Sequence, residues 1–399
     1  MTEPVQVPRA PKFPWRTALY VLIMFVLGLV LGIYSHRQQG IGSTNETPIA
    51  GAWVVRYALT TREDIDQVFA LASKLGFREL MLQVNGRGEA YYRSELLPQA
   101  VVDFDPLAYA LAQGQRYGIK VHVWVNVLTI SSFLSRSQDP KHVINSHPQW
   151  ITYDVDGRSL LAYDPLDVSS LPADLPAIML DPGVPEVRDF LVQVCRELVE
   201  NYPVDGLHLD YIRYAGLRYG FHPQVRQHFK AQYGVDPVDV ERRRFTAGGA
   251  QQALLWDDFR RQQITDLVEA IYREVKSAKP QLPVSASVTA HYQVARDNHF
   301  QDWQHWLERG IIDFVVPLAY DLDPSVVYYR LEEVVAHWGP GKISAGVRAY
   351  ELGEDPQLLR ELVQAARDAG CQRILLFSYN SIAEEPQLQK IISRLQEAR

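Results

Sequence analysis

Val204-Asp205-Gly206-Leu207-His208-Leu209-Asp210-Tyr211 alternates small or polar residues with leucines, the period of a β-strand whose two faces meet different surroundings. Gly206, His208 and Asp210 share one face, while Leu207 and Leu209 share the other, an apolar face suited to packing under helices. Asp205 opens the strand and Asp210 ends it, followed at once by Tyr211, Arg213 and Tyr214. A carboxylate at the carboxyl end of such a strand is where a (β/α)₈ barrel carries its chemistry.

Working outward, seven further short apolar runs have strand character: Ala52–Arg56, Glu79–Val84, Lys120–Val125, Val284–Val288, Phe314–Leu318, Lys342–Gly346 and Arg373–Phe377. Amphipathic stretches follow each strand: Arg62–Leu75, Pro106–Tyr117, Pro185–Glu200, Asp257–Ala278, Asp302–Arg309, Ser325–His337, Pro356–Ala369 and Pro386–Glu397. Gly76, Gly118, Gly310 and Gly370 stand just past helices, as left-handed caps do. Eight strands alternating with eight helices predict an α/β fold, a (β/α)₈ TIM barrel over residues 50–399. No glycine-rich phosphate loop follows any strand, which removes the main nucleotide-binding argument for an open sheet. Two long connections, Leu128–Gly183 and Tyr211–Trp256, both follow strand carboxyl ends, so a deep groove is expected there.

Thr17 to Tyr34 is an uncharged apolar run preceded by Arg9, Lys12 and Arg16. Its length and flanks predict a single transmembrane signal anchor over 17–34, with 1–16 cytoplasmic and 35–49 a linker. The barrel is then expected on the periplasmic or extracellular side of the cell membrane. A net charge of −7, from 40 basic and 47 acidic side chains, argues against a nucleic-acid partner. Two cysteines, Cys195 and Cys371, exclude a disulfide scaffold. The 11 histidines show no metal-ligand spacing, and no Gly-x-Ser-x-Gly elbow occurs, so neither a metal nor a cofactor is expected.

Candidate site residues cluster at strand ends. Asp210 is expected as nucleophile or base. Glu89, after strand two, Asp321, after strand six, and Glu351, after strand seven, compete for the role of proton donor. Glycoside cleavage calls for two such carboxyl groups, one for the leaving oxygen and one for attack or water activation. Arg87, Asn126, His208, Tyr211 and Arg213 are expected to orient sugar hydroxyls, and Tyr91 and Tyr320 to stack on sugar faces.

The same motifs resemble those of the glycosyl-hydrolase-like 10 family. The likeness runs through Gly51-Ala52-Trp53-Val54, Gln83-Val84 with Arg87-Gly88-Glu89-Ala90-Tyr91, and Phe104-Asp105-Pro106-Leu107. It continues through His122-Val123-Trp124-Val125-Asn126, His147-Pro148-Gln149-Trp150, Leu180-Asp181-Pro182-Gly183, Val204 to Tyr214 and Asp302 to Tyr320, all in family order. This chain departs from the pattern at Asn85-Gly86, where the family has Arg-Pro, and at Val127-Leu128, where it has Pro-Tyr. The resemblance implies a glycosidase-type barrel acting on glycans, with bacterial members implicated in peptidoglycan glycan cleavage. Asp210 matches the aspartate ending the family's strand-four motif, and Tyr320-Asp321 is similar to the Tyr-Asp of family 18 chitinases. The expected function is a membrane-anchored glycosidase on envelope or extracellular polysaccharide, peptidoglycan glycan strands included. The other class in view is a non-catalytic glycan-binding barrel that tethers to or senses the cell wall.

Overall fold

Helix starts in this chain are set by side-chain oxygens and prolines. Asp105 accepts the Ala108 N–H at the head of Pro106–Tyr117, and Asp323 accepts the Ser325 N–H at the head of Pro324–Trp338. In both, proline fills the first turn, where a missing N–H costs nothing. The four cap glycines have φ between 63° and 87°, the left-handed region an L side chain resists. Among the described residues, eight helices alternate with the strands: α1 (Arg62–Lys74), α2 (Pro106–Tyr117), α3 (Pro185–Asn201), α4 (Ala250–Ala278), α5 (Trp303–Glu308), α6 (Pro324–Trp338), α7 (Leu358–Asp368) and α8 (Pro386–Glu397).

Between them lie β1 (Ile49–Val54), β2 (Glu79–Asn85), β3 (Lys120–Asn126), β4 (Gly206–Asp210), β5 (Val284–Thr289), β6 (Phe314–Leu318), β7 (Ala345–Arg348) and β8 (Ile374–Phe377). Each strand pairs in parallel with its neighbour in the chain, and β1 pairs with β8 to close the barrel. The computed structural model describes residues 48–164, 177–352 and 355–397. The expected anchor at 17–34, its lead at 1–16 and nearly all of the linker lie outside the described residues. Among the described residues no helix is long and apolar enough to cross a membrane.

Two apolar cores flank the strands. Leu207 and Leu209 belong to the outer one, between sheet and helices, as their alternation predicts. Trp53, Met81, Trp124, Phe314, Val316 and Leu375 fill the barrel interior. At its closed end Arg373 grips both oxygens of Glu79, at 2.6 and 2.5 Å, and lies over the Phe314 ring, while His122 sits 3.5 Å from the same carboxylate. A Cβ on Gly206 would stand 2.1 Å from His122 Nδ1, so this strand can open only with glycine. The barrel's closure is stapled by α8: Gln396 accepts the Ile49 N–H at 3.3 Å and donates to the Ile49 carbonyl at 2.9 Å.

Three features differ from expectation. β7 begins three residues later than its apolar run, because Gly339 turns the chain and leaves Ile343 with only an isolated bridge to Val315. α4 begins at Ala250, not Asp257, since its early turns bury charge: Arg244 and the fully buried Arg260 both bond Asp257. The connection after β4 is not a bare loop but holds two further helices, Pro223–Tyr233 and Pro237–Arg242. Arg260 ties the same connection to α4 by donating to the carbonyls of Leu217 and Tyr219. The connection after β3 carries a short antiparallel pair, Thr129–Ser131 with Ile178–Met179. Both connections leave the carboxyl ends of the strands and so build up the mouth.

Candidate active site

β4 delivers Asp210 to the floor of a cleft of about 490 Å³ at the carboxyl end of the barrel. The strand cannot continue past it: Tyr211 adopts φ 49°, a left-handed turn uncommon for a bulky residue. That turn swings the Tyr211 N–H back onto Asp210 Oδ1 at 2.8 Å, and Trp124 Nε1–H donates to Oδ2 at 3.1 Å. Burial raises the Asp210 carboxyl from 3.8 to about 6, against the smaller lowering effects of the Tyr211 N–H, the Arg213 charge and the Trp124 bond. A carboxyl poised there exchanges a proton near neutral pH, which is what an acid or base catalyst requires.

The walls divide into an aromatic and a polar side. Tyr320 stacks on Phe377 with centroids 5.7 Å apart, and Tyr350 meets both rings edge-on. Trp53 and Trp124 also meet Phe377 edge-on. Opposite, Arg56 donates to Gln83 Oε1, Gln83 donates to Asn126 Oδ1 and Asn126 donates to the Gly86 carbonyl, at 3.1, 3.4 and 2.9 Å. Asn126 is the register partner of Asp210 across the β3–β4 pair. Apolar planes facing fixed amide and guanidinium groups suit a sugar, whose ring has C–H faces and a hydroxyl rim.

Of the residues expected from sequence, Asp210, Arg87, Asn126, Tyr211, Arg213 and Tyr320 line this cleft. Arg213 packs over the Tyr211 ring at 5.4 Å, which holds its charge beside Asp210. Glu89 and Tyr91 line an adjoining cavity of about 270 Å³ that shares Arg56 and Arg87 with the cleft. Asp321 and Glu351 do not line the cleft. Asp321 is paired with Arg330 of α6 at 3.2 Å and accepts the Asp323 N–H, and Glu351, its side chain 82% exposed, lies beside Arg348. Among the described residues lining the cleft, Asp210 is the one carboxylate.

His208, expected to orient sugar hydroxyls, does not line the cleft. It is wholly buried, accepts Trp53 Nε1–H on Nε2 at 3.0 Å, and has Ser285 and Ser287 hydroxyls at 2.9 and 2.8 Å. Burial depresses its imidazole to about 3, so it stays neutral and cannot transfer a proton at working pH. Arg56, Gln83, Tyr350 and Phe377 are cleft residues the sequence reasoning missed. Arg56, Tyr350 and Phe377 stand at or just beyond a strand's carboxyl end, a placement that would have found them, whereas Gln83 lies two residues inside the end of β2. Leu180-Asp181-Pro182-Gly183 is structural: buried Asp181 accepts from Thr152, the Gly183 N–H and Tyr214, joining the two long connections.

Residues 48–353 match the family described as Glycosyl hydrolase-like 10. The chain is 24% identical over 326 residues to glycosyl hydrolase DigH of Escherichia coli K12, covering 71% of this chain and 65% of that one. It is 23% identical over 344 residues to glycosyl hydrolase YngK of Bacillus subtilis, covering 76% and 59%. This chain therefore spans less than two thirds of the length of these relatives. Among solved structures, the glycoside hydrolase domain of PgaB (BpsB) from Bordetella bronchiseptica superposes with TM-score 0.63 at 17% identity, over 86% of this chain and 98% of that one. A β-galactosidase from Geobacillus stearothermophilus superposes with TM-score 0.60 at 13% identity, over 89% and 58%. The chain belongs to the glycosyl hydrolase-like 10 family.

Proposed function

We propose that this member of the glycosyl hydrolase-like 10 family is a membrane-anchored glycosidase that hydrolyses a cell-envelope glycan, peptidoglycan glycan strands being the foremost candidate. The observation that carries the proposal is Asp210: a carboxyl tuned to about 6, held by two N–H donors, on the floor of an aromatic-walled barrel cleft. In this reading Asp210 serves as the proton carrier for the glycosidic oxygen. Tyr320, Tyr350 and Phe377 seat a sugar ring, and Asn126 and Arg87 fix its hydroxyls. The names of DigH, YngK and the PgaB domain, all glycoside hydrolases, support the reaction class. The uncharged run at 17–34, with basic residues before it, supports the anchor.

A second reading, a barrel that binds wall glycan without cutting it, is favoured by one observation, the single carboxylate lining the cleft. The two separate in one experiment. The full chain, Asp210→Asn and Glu89→Gln are incubated with purified peptidoglycan glycan strands and other bacterial polysaccharides, and products are read by mass spectrometry. New reducing ends from the parent protein, lost in Asp210→Asn, are expected. Binding without cleavage by all three proteins would replace the hydrolase with the binder. A matching loss in Glu89→Gln would assign the second carboxyl role to Glu89.

A further inference from the structure

We propose that the cavity beside the cleft is a subsite for a sugar carboxylate, so that the glycan accepted by this protein is an acidic one. The proposal rests on the glycan-acting reading above and names the substrate's charge.

Three guanidinium groups line this cavity of about 270 Å³: Arg56, Arg87 and Arg136. Among the described residues none of the three has a carboxylate within ion-pair distance, although the chain is acidic overall, at −7. Other buried or half-buried arginines do hold acids: Arg226 holds Asp236, Arg244 holds Glu241 and Asp257, and Arg373 holds Glu79. Among the described residues Glu89 is the only acid lining the cavity, so the local balance stays positive. His142 accepts the Ile144 N–H on Nδ1, and its Nε2 lies 2.8 Å from the Arg87 carbonyl.

Two of the three donors are also held in place. Arg56 is fixed by Gln83 at 3.1 Å and the Tyr57 hydroxyl at 2.6 Å. Arg136 spends Nη1 and Nη2 on the carbonyls of Leu161 and Tyr163, and its buried Nε has no hydrogen-bond partner. A buried donor left open is costly unless something supplies an acceptor. The Arg87 guanidinium has no partner among the described residues. Planar forks of this kind match a planar carboxylate. Because Arg56 and Arg87 line both cavities, a sugar acid held here places the neighbouring ring over Asp210.

The test measures binding by the full chain carrying Asp210→Asn, which prevents turnover. The probes are an N-acetylmuramic-acid-containing tetrasaccharide with free lactyl carboxylates, its carboxamide, an oligogalacturonate and its methyl ester. At least one acid is expected to bind about tenfold tighter than its neutral counterpart, with the advantage shrinking as salt rises. The preferred acid identifies the source of the carboxylate, lactyl ether or uronic acid. Arg87→Gln and Arg136→Gln should reduce the advantage to less than twofold, and Arg87→Lys should keep part of it. Circular dichroism confirms that each variant is folded. Equal binding of acid and neutral forms in both pairs, no binding of either acid at millimolar concentration, or an advantage that survives both glutamine variants overturns the subsite. Cleavage of a neutral glycan by the parent protein alongside such a result leaves the hydrolase standing and removes only the subsite. An acid advantage with no cleavage of any glycan does the reverse.

Discussion

Replacing Asp210 by asparagine should make the protein more stable at neutral pH while removing its chemistry. The carboxyl rises from 3.8 to about 6 on folding because burial disfavours its charge. At 1.36 kcal/mol per pH unit, the folded state is weakened by about 3 kcal/mol once Asp210 is ionised. The sign follows from the raised value. Protonated Asp210 carries no such cost below pH 3.8, the cost grows between 3.8 and about 6, and it is complete above 7. Asparagine removes it but keeps only one acceptor for two donors, the Tyr211 and Trp124 N–H groups, which returns about 1 kcal/mol. Cleft water already screens part of the charge in the parent protein. The net gain expected at pH 7.5 is therefore about 1–2 kcal/mol, vanishing near pH 4. Urea unfolding followed by circular dichroism at both pH values measures it. A variant less stable than its parent at pH 7.5, or a difference that does not change with pH, would refute the reasoning.

If Asp210 acts as the general acid, kcat/KM should fall tenfold per pH unit above about 6, and a flat profile from pH 6 to 8 would remove it from that role. At the closed end of the barrel, burial alone would raise Glu79, but bonds from His122 and Arg373 and the Arg373 charge bring it down to about 2. That linkage is worth about 3 kcal/mol, present above pH 4.5 and lost as pH falls toward 2. Glu79→Gln should consequently lose about 3 kcal/mol at pH 7 and show a flatter acid limb in denaturant titrations. Gly206→Ala puts a methyl 2.1 Å from His122 Nδ1 and should cost at least ~2 kcal/mol by the same assay, with the paired Gly206→Ala/His122→Ala recovering part of it.

What the sequence discloses here depends on how local each determinant is. The strand β4 could be placed because alternation is written in consecutive residues, and the outward leucines and inward His208 and Asp210 follow from it. The helices Pro223–Tyr233 and Pro237–Arg242 carry ordinary start signals, His222-Pro223 and Asp236-Pro237, yet their apolar faces are short and read as loop. Loop carboxylates are harder still. Whether Asp321 faces the cleft is decided by Arg330 on α6, and the setting of Glu351 by a backbone at φ 47° with Arg348 alongside. His208 is held by Trp53, Ser285 and Ser287, 155, 77 and 79 positions away, distances at which no sequence pattern operates. That Asp210 is the lone carboxylate among the described residues lining the cleft is a fact of the assembled mouth, which no single segment contains.

The seam between β1 and β8 bears on how the protein is made. Ala52 pairs with Leu376, and Ile49 is tied to Gln396, 347 positions along. On the ribosome β1 emerges first and keeps one bare edge until the last strand arrives, roughly 16–65 s later at ~5–20 residues per second. Through that interval an apolar strand with unpaired backbone groups is open to any passing edge. Changes in β8 or at Gln396 should thus be felt first in the yield of nascent chains, well before they register in the finished barrel.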